Sequence, residues 1–538
     1  MRKFMRITIL EAHDDHLYVA GNIRDYRSGK EHFYVLDKSG HRTEIVPTRS
    51  MPMDTAADSE KKPHKGYYYA LQLPLRAGET YTFLYISGGE EAILSPRFGK
   101  YSRLSDFDGC FFNYKDFLVF FRDNSIMVVY DRFLTRKSLE RRFKRSIAES
   151  AAPELIKLRN EAVELKKAGK PIWLVSDRSD CAEDNGMAFF EYLMNSEDAI
   201  HIRESHDIRF IIGPDSPDYQ KMQQIGPVVP AASDLHKALY IASEFVISSA
   251  ADEWIRNPLG ADHKYFRDMI DSRFVFLQHG VIKDDLSGWL FKLKKNISIF
   301  ITSAKNEWRS VCDGDYGYDE SVVKLTGLAR YDKLENAPTK TIAILPTWRK
   351  YAAPALIPGT SDRPYSDSFK DTDYFKFYNR LINDERLLTV MNENGYTGTL
   401  YMHPSHMKQW KDFQGNDTIS VWKELVPFSQ VFRESSLLIT DYSSVAIDFA
   451  YLGKPVIYTQ FDSDVFWSSH SYTQGYYDYE KNGFGPVCYD YESSVDTIVK
   501  ALSTGCAEDR LYLDRVNSFF AFRDKNNCRR ILEEILKL

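Results

Sequence analysis

Apolar and polar residues alternate in short runs along the first 131 residues of the chain. The runs mix β-branched and aromatic side chains, and clusters of glycine, aspartate and serine separate them. This alternation predicts an antiparallel sandwich with strands near 7–11, 16–23, 32–37, 67–75, 81–86 and 111–130. The polar stretch 51–65, which contains two prolines, is predicted to be a mobile hairpin loop.

The pattern changes to a helical period in the segment 132–170. Leu139, Phe143 and Ile147 recur every four residues and predict one apolar stripe. The part from 132 to 147 is also strongly basic, with Arg132, Arg136, Lys137, Arg141, Arg142, Lys144 and Arg145. Two interpretations fit this basic helical linker: its basic face is simply solvated, or it docks on an anionic membrane surface or an anionic polymer.

From residue 171 onward, short apolar strands alternate with helical stretches. Strands are predicted near 172–176, 210–213, 245–248, 274–277, 297–301 and 322–325, and then near 342–345, 399–402, 437–440 and 456–458. Such alternation is typical of α/β proteins with parallel sheets covered on both faces. We therefore predict two Rossmann-like, doubly wound lobes, 171–335 and 336–538, that face a cleft and follow a β-sandwich-like domain, 1–131.

Composition narrows the possible partners. The net charge of −6 gives no overall attraction to nucleic acid, so none is expected as a partner. Six cysteines are scattered without a CxxC pair, which favours reduced thiols in the cytoplasm. The first residues lack a signal-peptide pattern, and no apolar run reaches the roughly 18–20 residues that span a bilayer. A membrane-linked substrate would therefore be reached peripherally, from the inner face of the membrane.

Two histidines follow predicted strands at corresponding places in the two lobes. His279 comes after a buried strand and precedes Gly280, which permits a tight turn near a ligand. His403 ends a strand of the second lobe. Each histidine alone can be structural, but ligands bind at the carboxyl ends of such strands. The pair therefore predicts convergence on one cleft, where a histidine can act as a general base.

The segment 440–450 is the richest in candidate chemistry. A strand leads into Asp441, Ser443 and Ser444, and a helix follows. Hydroxyls and free N–H groups at a helix start can hold phosphate, whereas plain helix capping is the alternative. Asp448, on the first turns of that helix, can hold ribose hydroxyls.

Three further places carry candidate polar residues. Thr347 and Arg349 follow the first strand of the second lobe. Arg349 either donates two hydrogen bonds to phosphate oxygens or is a surface arginine. Arg330 lies near the predicted hinge, where an ion pair that stabilises the linker is the alternative. The loop 176–186 ends in Asn185 and Gly186, which either face the acceptor or belong to a capping loop.

Several familiar motifs are missing from the sequence. It contains no GxGxxG, no P-loop and no GxSxG elbow. A DxD match at 462–464 lies in an aromatic loop and is given little weight, so no metal site is predicted.

Six motifs occur together in order: His-Gly at 279–280, Gly-Leu-Ala-Arg-Tyr-Asp at 327–332, Pro-Thr-Trp-Arg at 346–349, His-Pro at 403–404, Thr-Asp-Tyr-Ser-Ser-Val-Ala-Ile-Asp-Phe-Ala at 440–450 and Gln-Gly-Tyr-Tyr-Asp-Tyr-Glu at 474–480. Together they resemble the CDP-glycerol:poly(glycerophosphate) glycerophosphotransferase family, the teichoic acid primases and polymerases. The resemblance covers residues 171–538. This sequence departs from the usual family motifs at Gln278, where tryptophan is usual, and at Tyr331, where asparagine is usual.

The resemblance implies a GT-B fold with a CDP-activated donor on the second lobe and no cofactor. A polyol phosphate, glycerol phosphate or ribitol phosphate, would pass to a hydroxyl of a lipid-linked or polymeric acceptor, with release of CMP. The implied catalytic residues are His279 as general base and His403 beside the donor phosphates. The implied donor-binding residues are Arg330, Thr347, Arg349, Asp441, Ser443, Ser444 and Asp448.

Two other functions remain compatible with the sequence. One is a GT-B glycosyltransferase that uses a nucleotide sugar in cell-surface polysaccharide synthesis. The other is a non-catalytic polymer-binding protein that has kept the fold.

Overall fold

The structure is a computed structural model that describes residues 4–52, 65–355, 357, 363–423, 428–469 and 473–538. Most of the loop predicted at 51–65 lies outside the described residues. Within the described ranges, no helix combines the length and the apolarity needed to cross a bilayer.

The described part of the first domain contains twelve strands, and eight of them overlap the strands predicted from the alternating pattern. The twelve strands are β1 (Met5–His13), β2 (His16–Arg24), β3 (Glu31–Leu36), β4 (Arg42–Glu44), β5 (Arg49–Pro52), β6 (Lys65–Pro74), β7 (Thr80–Ser87), β8 (Glu90–Leu94), β9 (Arg97–Ser102), β10 (Phe111–Tyr114), β11 (Phe117–Arg122) and β12 (Ser125–Tyr130). The single run predicted at 111–130 is thus three strands, because tight turns at Lys115 and Asp123–Asn124 adopt positive φ.

These strands form two sheets, with the orders β5-β6-β2-β1-β9 and β10-β11-β12-β7-β3-β4, and β8 pairs with β7. The pairs are antiparallel except for β1 with β9, which run parallel. Ile7 and Val19 from the first sheet share an apolar core with Phe33 and Phe83 from the second. The two sheets therefore pack face to face, as a sandwich requires.

The basic linker consists of two helices, α1 (Phe133–Ala148) and α2 (Pro153–Lys167). Proline has no N–H group and is tolerated in the first helical turn, so Pro153 begins a new helix and does not continue the first. The predicted apolar stripe of α1 is buried, with Phe143 and Ile147 packed into the core of the sandwich.

The first lobe contains β13 (Ile172–Ser176), β14 (Asp207–Ile212), β15 (Val228–Pro230), β16 (Phe245–Ser248), β17 (Arg273–Phe276), β18 (Ile297–Thr302) and β19 (Val323–Leu325). Its helices are α3 (Asn185–Asn195), α4 (Ile200–Ser205), α5 (Tyr219–Ile225), α6 (Asp234–Ala242), α7 (Glu253–Arg256), α8 (Ser287–Leu290), α9 (Lys292–Lys295) and α10 (Lys305–Asp313). The strands form one parallel sheet in the order β15-β14-β13-β16-β17-β18-β19.

The second lobe contains β20 (Thr341–Ile344), β21 (Thr397–Leu400), β22 (Ile419–Val421), β23 (Ser435–Thr440), β24 (Val456–Thr459) and β25 (Val487–Cys488), in a parallel sheet of order β22-β21-β20-β23-β24-β25. Its helices are α11 (Asp373–Leu381), α12 (Glu385–Asn394), α13 (Phe428–Glu434), α14 (Val445–Tyr451), α15 (Ser463–Ser469), α16 (Tyr479–Asn482), α17 (Tyr491–Ser503), α18 (Arg510–Phe519) and α19 (Asn527–Ile535). The predicted alternation of two parallel α/β blocks is confirmed.

The last helix departs from the predicted assignment of 336–538 to the second lobe. The backbone N–H groups of Asn527 and Cys528, at the start of α19, donate to the carboxylate of Asp332, at 2.9 and 2.7 Å. Arg530 donates to the carbonyl of Thr326 at 2.8 Å. The C-terminal helix therefore returns to the first lobe, where it buries its apolar face.

Candidate functional site

The first histidine lies on a turn that buried side chains hold in place. Gln278 has a φ of 68°, in the left-handed region that few residues other than glycine adopt. Its side-chain amide donates to the carbonyl of Ile301 at 2.7 Å and to Glu307 at 2.9 Å. These bonds keep the Gln278 side chain inside the lobe, so the next residue, His279, projects from the sheet edge.

Glu307 lies beneath this turn and is fully buried. Its carboxylate accepts the N–H of Ile282 at 2.7 Å and that of Ser303 at 2.7 Å, in addition to the amide of Gln278. Burial raises the pKa of Glu307 to about 7, while its hydrogen bonds oppose that shift. One carboxylate thus ties the His279 turn to the segment after β18.

His279 faces solvent and is paired with a carboxylate. Its side chain is 82% exposed, and Nδ1 hydrogen-bonds to Oδ2 of Asp184. The charge and hydrogen bond of Asp184 raise the pKa of the imidazole. Because a carboxylate only accepts, we assign the proton to Nδ1, which leaves Nε2 able to take a proton from a ligand when the ring is neutral.

Asp184 is positioned by the loop that precedes α3. Asp177, itself buried, accepts the backbone N–H groups of Asp184, Gly186 and Met187 at 3.1, 2.7 and 2.9 Å. A Cβ on Gly186 would lie 2.3 Å from the carbonyl oxygen of Ser176, so only glycine fits there. Burial, followed by the nearby charge of Asp184, raises the pKa of Asp177 to about 6.

Asn185 and Gly186 were predicted to face the acceptor, and the structure corrects this placement. Both residues are buried at the start of α3. The side-chain amide of Asn185 donates to the carbonyl of Gln278 at 2.7 Å and accepts the backbone N–H of Arg330 at 2.9 Å. Asn185 therefore links the His279 turn to Arg330 from inside the first lobe.

Arg330 joins the two lobes. Its guanidinium donates to Asp184 and to the carbonyl of His279 in the first lobe, and to Oδ2 of Asp448 in the second lobe at 2.5 Å. The hydroxyl of Tyr331 donates to the other oxygen of Asp448, also at 2.5 Å. Arg330 and Asp448, predicted as donor-binding residues, thus form an ion pair between the lobes, whereas the alternative predicted for Arg330 was an ion pair that stabilises the linker.

The second lobe has its own buried arginine. The guanidinium of Arg349 donates to Asp462 at 2.6 and 2.9 Å and to the carbonyl of Thr347 at 2.7 Å, and it lies 2.9 Å from Asp441. Asp441 also accepts the backbone N–H of Thr347 at 2.8 Å. Arg349, predicted to pair with donor phosphate, and Asp441, predicted to bind the donor, are completely buried and in this arrangement form a framework under the sheet edge.

Hydroxyl groups and the second histidine lie above that framework. His403 is half-buried, its ring centre is 6.3 Å from that of Trp348, and its Nδ1 accepts the N–H of Ser405 at 3.1 Å. The Thr347 hydroxyl is buried without a hydrogen-bond partner among the described residues. Ser443 is half-buried, and Ser444 is exposed at the start of α14.

The facing edges of the two lobes approach each other at Gly280. A Cβ on Gly280 would lie 3.8 Å from Oγ of Ser444 and 3.5 Å from Arg330. The lobes also meet where Asp285 and Thr473 form a β-bridge. Beside this bridge, a Cβ on Gly475 would lie 2.4 Å from the carbonyl oxygen of Lys283. The glycine of the motif at 474–480 therefore permits a close contact between the lobes.

Sequence reasoning missed three residues that support His279: Asp184, Gln278 as a buried anchor, and Glu307. Asp184 was present in the polar loop 176–186, but nothing local distinguishes it from Asp180 or Glu183. Across the described ranges, no group of three or more His, Cys, Asp or Glu side chains is arranged to hold a metal ion.

Two tandem parallel α/β lobes, each with a histidine at its sheet edge and joined by the ion pairs of Arg330, define a two-lobed α/β protein with a candidate site between the lobes. The model of the CDP-Glycerol:Poly(glycerophosphate) glycerophosphotransferase family matches residues 158–537. The chain therefore belongs to this family.

Known relatives agree with this assignment. The chain is 38% identical over 472 residues to the minor teichoic acid biosynthesis protein GgaB of Bacillus subtilis. The aligned residues cover 85% of this chain and 51% of GgaB. It is 25% identical over 206 residues to the teichoic acid poly(glycerol phosphate) polymerase of Bacillus spizizenii. That alignment covers 37% of this chain and 45% of the polymerase. The chain thus spans about half the length of these curated relatives.

A solved structure has a similar fold. The wall teichoic acid polymerase TagF aligns with 76% of this chain and 98% of its own, with a TM-score of 0.51 and 16% sequence identity. At that identity, the likeness concerns the arrangement of the α/β fold.

Proposed function

We propose that the protein transfers a polyol phosphate, such as glycerol phosphate or ribitol phosphate, from a CDP-activated donor to a hydroxyl of a teichoic-acid-like or capsular acceptor. Membership of the family supports the reaction class. The observation that carries the proposal is His279, whose Nδ1 is bound by Asp184, whose side chain is exposed and whose neighbour Gly280 lies close to Ser444 of the second lobe. The two lobes together form a GT-B arrangement, with the donor on the second lobe.

In the proposed reaction, neutral His279 accepts the proton of the acceptor hydroxyl at Nε2. The hydroxyl oxygen attacks the β-phosphorus of the donor, and the bond from that phosphorus to the bridging oxygen breaks. CMP leaves with the bridging oxygen and the electron pair. Asp184 stabilises the imidazolium that forms, as a buried carboxylate does beside a catalytic histidine.

The second lobe supplies the donor site in this proposal. Thr347, Ser443 and Ser444 offer hydroxyls to the pyrophosphate, and His403 steadies the phosphates as negative charge moves to CMP. The partnerless hydroxyl of Thr347 supports this role, because buried polar groups normally have partners. Arg349 and Asp441 act beneath, by fixing the backbone at Thr347.

A donor screen tests the proposal. The protein is incubated with CDP-glycerol, CDP-ribitol and UDP-sugars, each with lipid-linked and short soluble polyol phosphate acceptors, and released nucleotide is measured. Release of CMP that depends on acceptor is the expected result. Turnover of a UDP-sugar alone would favour the glycosyltransferase, and polymer binding with no turnover of any donor would favour a binding protein.

Histidine variants assign the chemistry. His279→Ala and His403→Ala should each lower kcat by about 100-fold or more, because the first removes the general base and the second removes stabilisation of charge on the donor phosphates. His201→Ala, at an exposed histidine of the first lobe, is the matched control and should leave kcat unchanged. Unaltered kcat in His279→Ala would remove His279 from the proposed mechanism.

We also propose that helix α1 holds the protein at the inner face of the membrane. Its apolar stripe is buried, whereas Lys137, Arg141, Lys144 and Arg145 lie on its surface, and Phe133 and Leu134 are 63% and 80% exposed. Basic residues near an anionic surface each contribute about 1 kcal/mol. Lys137→Glu/Arg141→Glu should therefore release the protein from phosphatidylglycerol vesicles in a flotation assay, while equal flotation would refute the proposal.

A further inference from the structure

A surface of exposed tryptophans and lysines lies on the first lobe, at the sheet edge from which His279 projects. Helix α7 follows β16 and helix α8 follows β17, and these two strands are parallel neighbours. Both helices therefore leave the sheet at the same edge as His279. They carry Trp254, which is 69% exposed, and Trp289, which is 41% exposed. Trp289 is ten residues beyond His279 in the chain.

Lys295 connects the two segments. Its ammonium donates to the carbonyl of Ala251 at 2.7 Å and lies 4.6 Å from the ring centre of Trp289. Lys100, from the β domain, forms an ion pair with Glu253, the residue before Trp254. Trp254, Trp289, Lys100, Lys292 and Lys295 are together called the aromatic–cationic track.

The surroundings of the track have an excess of positive charge. The cations are Lys100, Arg256, Lys292, Lys294 and Lys295, of which Arg256 and Lys295 are buried, against the carboxylates Glu11, Asp252, Glu253 and Asp319. Burial, and then the charge of Arg256, lowers the pKa of Lys295 to about 8. Cations crowded in this way are relieved by an anionic ligand.

The β domain holds one side of the track in place. The hydroxyl of Tyr101 donates to the carbonyl of Lys294 at 2.8 Å, and Asn296 donates to Glu11 at 2.7 Å. Lys292 lies 4.7 Å from the ring centre of Tyr18. The chain between α8 and β18 is therefore bracketed by contacts with the sandwich, which gives the β domain a place in the binding surface.

We infer that the aromatic–cationic track binds the anionic acceptor chain beyond the unit that reacts at His279. The inferred ligand is a phosphodiester-linked chain of polyols or sugars. Its phosphates pair with the lysines, and the C–H faces of its polyols or sugars pack on the indole rings. The inference rests on the proposed function, because that function defines the acceptor. The inference also assigns the β domain a part in acceptor binding.

A binding experiment without any donor tests the track. The dissociation constant for a soluble synthetic glycerol phosphate oligomer of roughly ten units is measured by calorimetry, since a run of charges is needed for several phosphate contacts. The variants are Trp254→Ala/Trp289→Ala and, separately, Lys292→Glu. Each should weaken oligomer binding about tenfold or more, on the scale of lost stacking and lost phosphate contacts.

The matched control is Arg510→Glu/Leu511→Ala on α18 of the second lobe, where the exposed fractions are 95% for the Arg510 side chain and 55% for Leu511. It should bind the oligomer as the wild type does. In turnover, the track variants should raise KM for the oligomer and leave transfer to free glycerol or a glycerol phosphate dimer unchanged.

Wild-type affinity for the oligomer in both track variants would overturn the inference. If the same variants also lost binding to phosphatidylglycerol vesicles, the surface would be a membrane contact. Oligomer affinity is measured without donor, so it does not depend on the transfer reaction. If the wild type released no CMP in the donor screen, the proposed function would be rejected, and the binding result would still test the track separately.

Discussion

Each lobe contains an arginine between two aspartates, partly exposed in the first lobe and fully buried in the second, but the two networks do different things. In the first network, Arg330 contacts Asp184 of the first lobe and Asp448 of the second. In the second, the aspartates around Arg349 both belong to the second lobe. The same chemistry thus forms a hinge contact in one place and an internal framework in the other.

The difference follows from what each network supports. Arg330 also donates to the carbonyl of His279, so the geometry of the base depends on how the lobes meet. Arg349 instead fixes the backbone of Thr347 through its carbonyl. We therefore expect damage to the first network to appear mainly in catalysis, and damage to the second mainly in stability.

Asp184→Asn should have the largest effect, because it breaks the first network at the histidine. Arg330 attracts the amide oxygen of the new side chain, which turns the amide NH2 toward Nδ1 of His279. The imidazole then carries its proton on Nε2 and cannot accept one from the acceptor. A fall in kcat of about 100-fold or more is expected, as for other histidines forced into the wrong tautomer.

The pH profile of this variant sharpens the test. Asp184 raises the pKa of His279, and the base must be neutral, so wild-type kcat/KM should fall as the pH drops below that raised pKa. Without the carboxylate charge the pKa of His279 falls, and the acid limb moves to lower pH. Asp180→Asn, in the same loop but paired with Arg178, is the control. An unmoved limb would contradict the role of Asp184.

Arg349→Met should break the second network with the next largest effect. It leaves Asp441 and Asp462 buried without their cation, which typically costs about 3–5 kcal/mol in the free energy of unfolding. Urea denaturation measures the loss. Arg330→Met is the comparison: Arg330 is partly exposed, and it should cost less stability while lowering kcat more. Equal stability losses in the two variants would show that the networks do not differ in this way.

The sequence predicted those features that depend on short stretches of chain. Apolar runs placed most strands of the two parallel sheets, and His279 and His403 emerge at strand ends as predicted. The short strands β15, β22 and β25 were missed, since two or three residues seldom give a recognisable period, although β19, which is equally short, was predicted. Helix α19 was assigned to the wrong lobe because its amphipathic pattern does not say which surface it covers.

The partners of charged residues could not be read from the sequence. Arg349 follows a strand in a motif that suits phosphate binding, and only the fold shows that Asp462, more than 100 residues later, occupies its guanidinium. Asp184 and His279 are likewise 95 residues apart. Contacts at such separations depend on how the lobes fold, so the supporting layer of the site becomes visible only in the structure.

Glu307→Gln probes the layer beneath the first network and should have the smallest effect of the three. One oxygen of Glu307 accepts from Gln278 and Ile282, and the other accepts from Ser303 and Ala304, so every neighbour is a donor. An amide nitrogen at either position faces two donors and leaves them unsatisfied. The expected loss is about 1–3 kcal/mol in the free energy of unfolding.

The catalytic readout separates positioning from stability in that variant. Without its anchor, Gln278 can leave its positive φ, and His279 then samples orientations away from Asp184. We expect a several-fold lower kcat at a temperature where the variant is fully folded, with the acid limb of the pH profile unmoved because Asp184 remains. Glu307→Asp, which keeps the charge on a shorter side chain, should recover part of kcat. Full wild-type kcat in folded Glu307→Gln would show that the turn holds His279 without this carboxylate.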